Sequence, residues 1–167
     1  RNFDGTVHLI FQPAEEGHGG AKAMMKDGLF NKYPCDRIYG LHNWPWLETG
    51  KMAVRKGHFF AASDVLELEI EGKGGHAAFP HQTIDPIIIG NQMIQAFQTI
   101  ISREIEPTDP AVISITNFNA GTGASNIIAS TAQIKGSIRS FKPETRAHLH
   151  RRIEETARGI CEVHRAK

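Results

Sequence analysis

The sequence has few cysteines, almost no net charge and no long hydrophobic run. Its two cysteines, Cys35 and Cys161, are too few for a disulfide framework, and we therefore expect a reducing, cytoplasmic setting. The 19 Lys and Arg residues against 18 Asp and Glu leave a net charge of +1, which supplies no attraction to nucleic acid. The longest apolar stretches, such as residues 86–89, fall far short of the ~20 residues of a membrane span. We expect neither nucleic acid nor a membrane as a partner.

Hydrophobic residues make up 40% of the 167 residues, which is enough to bury a core. The sequence begins with Arg1 rather than Met, and no signal-peptide pattern follows. Residues 6–12 already have the pattern of a buried strand, and the last helical pattern continues to Lys167 without a Gly or Pro stop. We therefore expect the chain to be a piece of a longer protein.

The first part of the sequence, residues 1–62, has the pattern of an α/β domain. Residues 6–12 and 37–41 are apolar and rich in β-branched and large side chains, which is typical of buried strands. Between them, a short helix over residues 21–26 is expected to end at Asp27-Gly28. A strand, a helix and a second strand with a short crossover predict a parallel βαβ unit.

The second part, residues 63–167, begins with a strictly alternating strand. Residues 64–71 place Leu66, Leu68 and Ile70 on one face and acidic side chains on the other, so that one face is buried and one is solvated. Four more elements follow: a helix begun by Asp85-Pro86 and ending near residue 103, strands over 111–118 and 132–141, and a helix over 143–165. The order β-α-β-β-α predicts a ferredoxin-like two-layer sandwich with both helices on one face of the sheet, lacking its last strand.

Three polar side chains follow the predicted strands of the first part. Glu15 and Glu16 come after residues 6–12, and His42 ends the next strand. Neighbouring parallel strands end at one edge of a sheet, and carboxylate with imidazole suits zinc or manganese. In the alternative, the two glutamates interact with the dipole of the following helix and His42 is an ordinary loop residue. The spacing alone favours neither interpretation.

Two glycine-rich loops and one strand of the second part carry further candidates. His76 lies within residues 72–81, where the glycines either let the backbone approach a ligand or, as the pattern favours, only supply the positive φ of a turn. Asn126 ends a second loop, which lacks the helix and lysine of a phosphate-binding loop. Arg139 is predicted on the solvated face of its strand, where an arginine is usually hydrated but can bind a carboxylate.

Five motifs, in this order along the chain, resemble those of one family. They are residues 11–17 (FQPAEEG), 41–45 (LHNWP), 74–81 (GGHAAFPH), 123–128 (GASNII) and 136–141 (GSIRSF). Together they are similar to the dinuclear-metal amidohydrolase and peptidase family that includes aminoacylase and glutamate carboxypeptidase. Within that family the sequence most resembles the branch of hippurate hydrolases, N-acyl-L-amino acid amidohydrolases and indole-acetyl-amino-acid hydrolases.

The resemblance implies metal-dependent hydrolysis of the amide bond of N-acyl amino acids or dipeptides. It implies two divalent metal ions, zinc or manganese, in each complete active site. Glu15 matches the general base that takes a proton from a metal-bridging water, and Glu16 and His42 match metal ligands. The resemblance also implies a Cys and a His ligand upstream of the Glu-Glu motif and a further His ligand near the C-terminus, and no residue of this sequence matches these three positions. We therefore expect the chain alone to be inactive.

The resemblance also assigns roles to the two parts of the chain. Residues 1–62 correspond to part of a mixed, zinc-peptidase-like α/β catalytic domain, and residues 63–167 to a ferredoxin-like lid through which the protein forms a homodimer. His76 matches a histidine that stabilises the oxyanion in the neighbouring subunit's site, while Asn126 and Arg139 match residues that hold the substrate carboxylate. The alternative function is a non-catalytic dimerisation or substrate-binding module that pairs through its edge strand.

Overall fold

A computed structural model describes residues 3–17 and 19–167 of the chain. The chain divides into two compact units, Arg1–Ala53 and Val54–Lys167. The domain boundary that we predict after residue 62 falls where the first strand of the second unit begins, and it stays a prediction. In the part of the chain that the structure describes, no helix combines the length and the apolar composition that crossing a membrane requires.

The first unit contains two short helices, α1 (Gly20–Lys26) and α2 (Leu29–Lys32). The backbone N–H of Asp27 bonds to the carbonyl of Ala23, and Gly28 follows with φ of 82°. A left-handed glycine cannot continue a helix, so α1 ends there. The predicted helix and its Asp27-Gly28 stop are confirmed.

The two strands predicted at residues 6–12 and 37–41 are not formed, and the predicted βαβ unit is therefore absent from the described residues. Neither segment has a hydrogen-bonded strand neighbour there. Their large apolar side chains are exposed, as Leu9, Phe11 and Leu41 show. A strand exists only through its neighbours, because its backbone N–H and C=O groups must pair with another strand. The apolar pattern identified the type of segment but not the presence of a partner.

The second unit is built on a three-stranded antiparallel sheet and two long helices. A two-stranded ladder and one turn of 3₁₀ helix (Pro80–Gln82) lie between them in sequence. In chain order the elements are β1 (Ala62–Glu71), β2 (Gly75–His76), α3 (Pro86–Glu104), β3 (Ala111–Ala120), β4 (Ile127–Ile128), β5 (Thr131–Ser140) and α4 (Pro143–His164). The sheet order is β1-β5-β3, and β2 pairs with β4. The predicted β-α-β-β-α succession is confirmed, with β2 and β4 as additions.

One core lies between the sheet and the two helices. The sheet contributes alternate residues to it, and each helix contributes one apolar stripe: Leu66, Ile70, Ile113, Ala132, Ile134, Ile138, Ile89, Met93, Phe97, Ile100, Leu149, Ile153 and Ala157. Because all these side chains belong to a single cluster, both helices cover the same face of the sheet. The opposite face carries exposed Glu67, Glu69 and Glu71, as the alternation in β1 predicts.

Helix α3 begins as its sequence predicts and lies close to the sheet. The carboxylate of Asp85 accepts a hydrogen bond from the backbone N–H of Ile87 at 2.9 Å, and Pro86 occupies the first turn. One turn further along, a Cβ on Gly90 would lie 2.7 Å from Cζ of Phe118. The glycine therefore lets the aromatic ring of β3 lie directly against the helix backbone.

Lys167 forms hydrogen bonds with the edge of β1 that does not face β5. Lys167 and Glu71 exchange two backbone hydrogen bonds, at 2.7 and 2.9 Å. Such a reciprocal pair is the contact of antiparallel strand neighbours. In a ferredoxin-like sandwich the last strand lies beside the first, and a fourth strand at this edge stays a prediction.

Candidate functional site

The pairing of β2 with β4 brings two of the sequence-predicted residues together. Gly75 pairs with Ile128 and His76 pairs with Ile127, so that His76 lies beside the residue that follows Asn126 in the chain. The backbone N–H of Ala77 then donates to the carbonyl of Asn126 at 2.9 Å. The two glycine-rich loops, distant in sequence, are therefore one hydrogen-bonded structure.

The glycines that precede His76 serve a purpose that neither sequence interpretation gave them. Gly72 and Gly74 are not among the glycines with positive φ, so a turn does not require them. A Cβ on Gly74 would lie 2.7 Å from the carbonyl oxygen of Ile128, and one on Gly72 would collide with the carbonyl oxygen of Ile84. These glycines let the chain's own backbone segments approach, which fixes the loop under His76.

The imidazole of His76 is held by the turn that follows it. Its Nδ1 accepts a hydrogen bond from the backbone N–H of Ala78 at 3.1 Å, and its carbonyl accepts one from the N–H of Phe79 at 2.9 Å. The ring of Phe79 lies against the imidazole, with 5.8 Å between the centroids and 56° between the planes. The sequence predicted His76 but not these two partners, because nothing in the spacing of Ala78 and Phe79 marks them.

Asn126 ends a loop that does require left-handed backbone. Gly121 and Gly123 have φ of 90° and 85°, a conformation that glycine adopts without a Cβ clash. The side chain of Asn126 is exposed. Because its backbone is bonded to Ala77, its carboxamide is presented from the same small structure as His76.

Arg139 lies on the face of the sheet that the two helices leave open. Its backbone pairs with Ser63 on one side and with Val112 on the other. The side chain is exposed, and among the residues with described positions it takes part in none of the ion pairs formed. A guanidinium without a carboxylate partner is suited to binding one from a ligand.

The structure does not bring Arg139 to the other two residues within one chain. Strand β5 begins at Thr131, three residues after β4, and Arg139 is near its opposite end. At a rise of about 3.3 Å per residue, Arg139 lies roughly 26 Å along the strand from Thr131. His76 and Asn126 therefore form one group at the β2-β4 ladder, and Arg139 lies near the far end of β5 in the three-stranded sheet.

The first unit carries the other three predicted residues, all of them exposed. Ala14 has φ of 49°, and the N–H of Gly17 bonds to the carbonyl of Glu15, so the Glu15-Glu16 pair sits on a tight turn. Helix α1 has no acidic residue in its first turn, which removes the support for the helix-dipole interpretation of this pair. His42 contacts the Asn43 carbonyl oxygen through Nδ1 at 2.6 Å.

These residues match a divalent metal in donor type but not in number. Carboxylate oxygens and an imidazole nitrogen are ligands of zinc and manganese. Across residues 3–17 and 19–167, however, no three His, Cys, Asp or Glu side chains are grouped as a metal ion would require. A catalytic zinc normally has three protein ligands, and so Glu16 and His42 alone do not complete a centre.

An ion-pair cluster at the beginning of β1 has a structural role. Arg146 of α4 forms a two-pronged ion pair with Asp64 of β1, and His150 approaches the same carboxylate at 3.1 Å. The hydrogen bonds from Arg146 hold the pKa of Asp64 below its ordinary value. The cluster joins the beginning of β1 to α4, away from His76.

Comparison with known proteins identifies the class to which this fold and these motifs belong. The model of "Peptidase family M20/M25/M40" matches residues 1–162. The chain is 44% identical over 163 residues to a hippurate hydrolase of Campylobacter jejuni, covering 98% of this chain and 42% of that protein. It is 40% identical over 155 residues to an N-acetyldiaminopimelate deacetylase of Priestia megaterium, covering 93% of this chain and 41% of that protein.

Solved structures support the same family assignment. A protein from methicillin-resistant Staphylococcus aureus superposes with a TM-score of 0.85 at 32% identity, over 93% of this chain and 41% of that one. The YXEP protein of Bacillus subtilis, described as a dinuclear metal binding peptidase, gives 0.69 at 33% identity, over 94% of this chain and 37% of that one. The chain belongs to peptidase family M20/M25/M40, which confirms the resemblance and the mixed α/β class. It spans about two fifths of the length of these relatives.

Proposed function

We propose that this chain is part of an enzyme that hydrolyses the amide bond of small N-acyl amino acids or dipeptides. The observation that carries the proposal is the hydrogen bond from the Ala77 N–H to the Asn126 carbonyl, which joins the loop that carries the His76 imidazole to the loop that carries the Asn126 carboxamide. Both groups can donate hydrogen bonds to an oxyanion or a carboxylate. Relatives named hippurate hydrolase and N-acetyldiaminopimelate deacetylase, at 44% and 40% identity, support an N-acyl amino acid as the substrate class.

Glu15 is the general base of the proposed reaction. Its carboxylate takes a proton from the attacking water and later returns it to the leaving amine, so that no net proton is consumed at Glu15. Its position on an exposed turn, with Ala14 in the left-handed region, supports this role, because strained backbone is often kept at functional sites.

Glu16 and His42 are proposed as ligands of two divalent metal ions, zinc or manganese. Such an ion, when bound, lowers the pKa of a coordinated water and polarises a carbonyl. Because the described residues supply too few donors for a complete centre, the remaining ligands in this proposal come from parts of the protein outside this chain.

His76 is proposed to donate a hydrogen bond to the tetrahedral oxyanion, and Asn126 and Arg139 to bind the substrate carboxylate. A small substrate does not span the roughly 26 Å of strand that separates Arg139 from the loop end of β5. This separation supports a homodimer in which His76 serves the site of the neighbouring subunit. Each complete site then takes its donors from two lids.

The test of the proposed function is an assay of the full-length protein with a panel of N-acyl amino acids, with and without added zinc or manganese. Glu15→Gln should abolish turnover while the metal content stays unchanged. The matched control is Glu48→Gln, at an exposed glutamate of the same unit that forms an ion pair with Lys51, three residues later, and it should keep full activity. Turnover by the Glu15→Gln protein would contradict the proposal.

A second candidate function is a non-catalytic dimerisation or substrate-binding module. The sheet order β1-β5-β3 leaves one edge of β3 without a strand neighbour in the described part of the chain, and such an edge can pair with a second copy. A register shift between Ile115 and Asn117 limits how far a regular ladder could extend along it. If the free edge of β3 pairs with a second copy, analytical ultracentrifugation of this chain should show dimers. A full-length protein without hydrolytic activity would favour the non-catalytic module over the enzyme.

A further inference from the structure

We propose that the backbone amide of Ala78 and the ring of Phe79 are positioning groups that hold His76 in its Nε2–H tautomer, with that N–H directed away from the turn. The inference rests on the proposed function for its catalytic meaning, but its structural content can be tested without any activity. It assigns roles to two residues of the 74–81 motif for which the sequence alone indicated no function.

The first step concerns the proton of the imidazole. A neutral histidine carries one N–H, and the other ring nitrogen is an acceptor. The atom facing Nδ1 of His76 is the backbone nitrogen of Ala78, at 3.1 Å. A backbone amide can only donate, so Nδ1 must accept, and the proton of the neutral ring must lie on Nε2.

The second step concerns the rigidity of this arrangement. The three backbone N–H groups that follow His76 all form hydrogen bonds: Ala77 donates to the Asn126 carbonyl, Ala78 to Nδ1 of His76, and Phe79 to the His76 carbonyl. The side chain of His76 therefore replaces a backbone acceptor in a tight turn. Turning the imidazole over would leave the Ala78 N–H without this partner, which costs free energy.

The third step concerns the plane of the ring. The ring of Phe79 lies 5.8 Å from the imidazole of His76 and 6.2 Å from that of His81, measured between centroids. The next residues form the 3₁₀ turn, in which the N–H of Thr83 and its hydroxyl both bond to the Pro80 carbonyl. Phe79 is thus carried on a closed turn and restricts the rotation of His76 from one side.

The consequence is a donor that is ready before the substrate arrives. A developing oxyanion is stabilised by an N–H and repelled by a ring lone pair, so the opposite tautomer would be inhibitory. A donor already oriented requires no reorganisation during the reaction. With Nδ1 occupied and Nε2 protonated, His76 also presents no lone pair to a metal ion, which separates its role from that proposed for His42.

The first measurement is a long-range ¹H–¹⁵N correlation spectrum of this chain at about pH 8, above the ordinary imidazole pKa of about 6.5. We expect His76 to show a protonated-type Nε2 and an acceptor-type Nδ1, with a scalar coupling across the hydrogen bond to the Ala78 amide nitrogen. His81 is the internal control: its Nδ1 receives no backbone N–H among the described contacts and its Nε2 faces the side-chain amide of Gln82 at 3.5 Å, so it should not show the pure Nε2–H form expected of His76. A protonated Nδ1, or averaged tautomers at His76, overturns the proposal.

The second measurement removes each positioning group in the full-length enzyme. Replacing Ala78 by lactic acid exchanges its amide N–H for an ester oxygen, and Ala78→Ser is the control that keeps the N–H. Phe79→Leu removes the ring, and Phe79→Tyr keeps it. We expect the ester and Phe79→Leu to lower kcat by about tenfold or more with little change in KM, since loss of a whole oxyanion donor costs about 10²–10³.

The two proposals fail in different ways. If the ester variant keeps both the Nε2–H signature and kcat, the positioning role of Ala78 is wrong, whatever the reaction. If His76 shows the expected tautomer but His76→Ala leaves turnover unchanged, the positioning inference stands and the proposed oxyanion role falls. The spectrum of the unmodified chain decides the tautomer even where a variant fails to fold.

Discussion

The backbone N–H of Ala77 donates to the carbonyl oxygen of Asn126 at 2.9 Å, and through this bond two loops separated by about fifty residues form one structure. It joins the loop of His76, the proposed oxyanion donor, to the loop of Asn126, which is proposed to bind the substrate carboxylate. Changes in either loop are therefore expected to affect the other, whereas Arg139, at the far end of β5, should behave independently.

Arg139 and His76 should affect different kinetic constants in the full-length enzyme. Arg139→Ala should chiefly raise KM for substrates with a free carboxylate, because an interaction made equally in ground and transition states is lost. His76→Ala should chiefly lower kcat, by about 10²–10³. Steady-state kinetics with a free acid and the matching amide check this, and an equal effect of Arg139→Ala on both substrates would contradict it.

Activity should be recovered when two inactive proteins are mixed. In a heterodimer of His76→Ala and Glu15→Gln subunits, one site keeps Glu15 and receives an intact His76 from its neighbour. We expect partial turnover after subunit exchange, measured against each variant alone. Subunit exchange shown by mass spectrometry, without recovery of turnover, would exclude the action of His76 in the neighbouring site.

This 167-residue chain alone should not hydrolyse N-acyl amino acids, with or without zinc or manganese. Glu16 and His42 offer two ligands, and no group of three ligating side chains forms in the described part of the chain, while catalytic zinc normally needs three. Calorimetric titration with each metal should show weak binding that Glu16→Gln weakens further. Robust metal-dependent turnover would overturn this expectation.

The fold of the second unit should lose stability in acid through Asp64. The hydrogen bonds from Arg146 lower the pKa of Asp64 from its ordinary value of 3.8. A lowered pKa stabilises the folded state above the unfolded-state pKa, and the contribution is lost as the pH falls through the folded-state value. At pH values below about 4, the melting temperature should therefore decrease, and the decrease should be smaller in the Asp64→Asn protein than in the wild type.

The control for this acid effect is Asp85→Asn. Asparagine caps a helix about as well as aspartate, so the bond to Ile87 is replaced and the wild-type pH dependence should persist. An Asp64→Asn protein with the full wild-type loss of stability in acid would show that the Asp64–Arg146 pair does not cause it.

Two helical glycines should respond to alanine in opposite directions. A Cβ on Gly90 would meet the Phe118 ring at 2.7 Å, whereas a Cβ on Gly159 of α4 meets nothing within 4 Å. Gly90→Ala should lower the free energy of unfolding by about 1–2 kcal/mol, because overpacking exceeds the gain in helix propensity. Gly159→Ala should raise it by up to about 1 kcal/mol. Urea unfolding of both variants measures the difference.

The sequence by itself determined the long elements of the second unit. The period-2 alternation of Leu66, Leu68 and Ile70 predicted β1 with one solvated face, and Asp85-Pro86 predicted the beginning of α3 to within a residue. These signals are local, since a side-chain period and a capping residue need only their own neighbours in the chain. The five motifs, which are local sequences as well, indicated the family.

Only the tertiary structure decided which segments pair and which residues meet. Residues 6–12 have the composition of a buried strand, yet they form none among the described residues, because no neighbouring strand bonds to them. His76 and Asn126 meet through a two-residue ladder too short to leave a periodic signal, while Arg139, thirteen positions after Asn126, lies at the far end of β5. Hydrogen bonds between strands and the length of an extended strand are properties of distant residues taken together, and no local pattern records them.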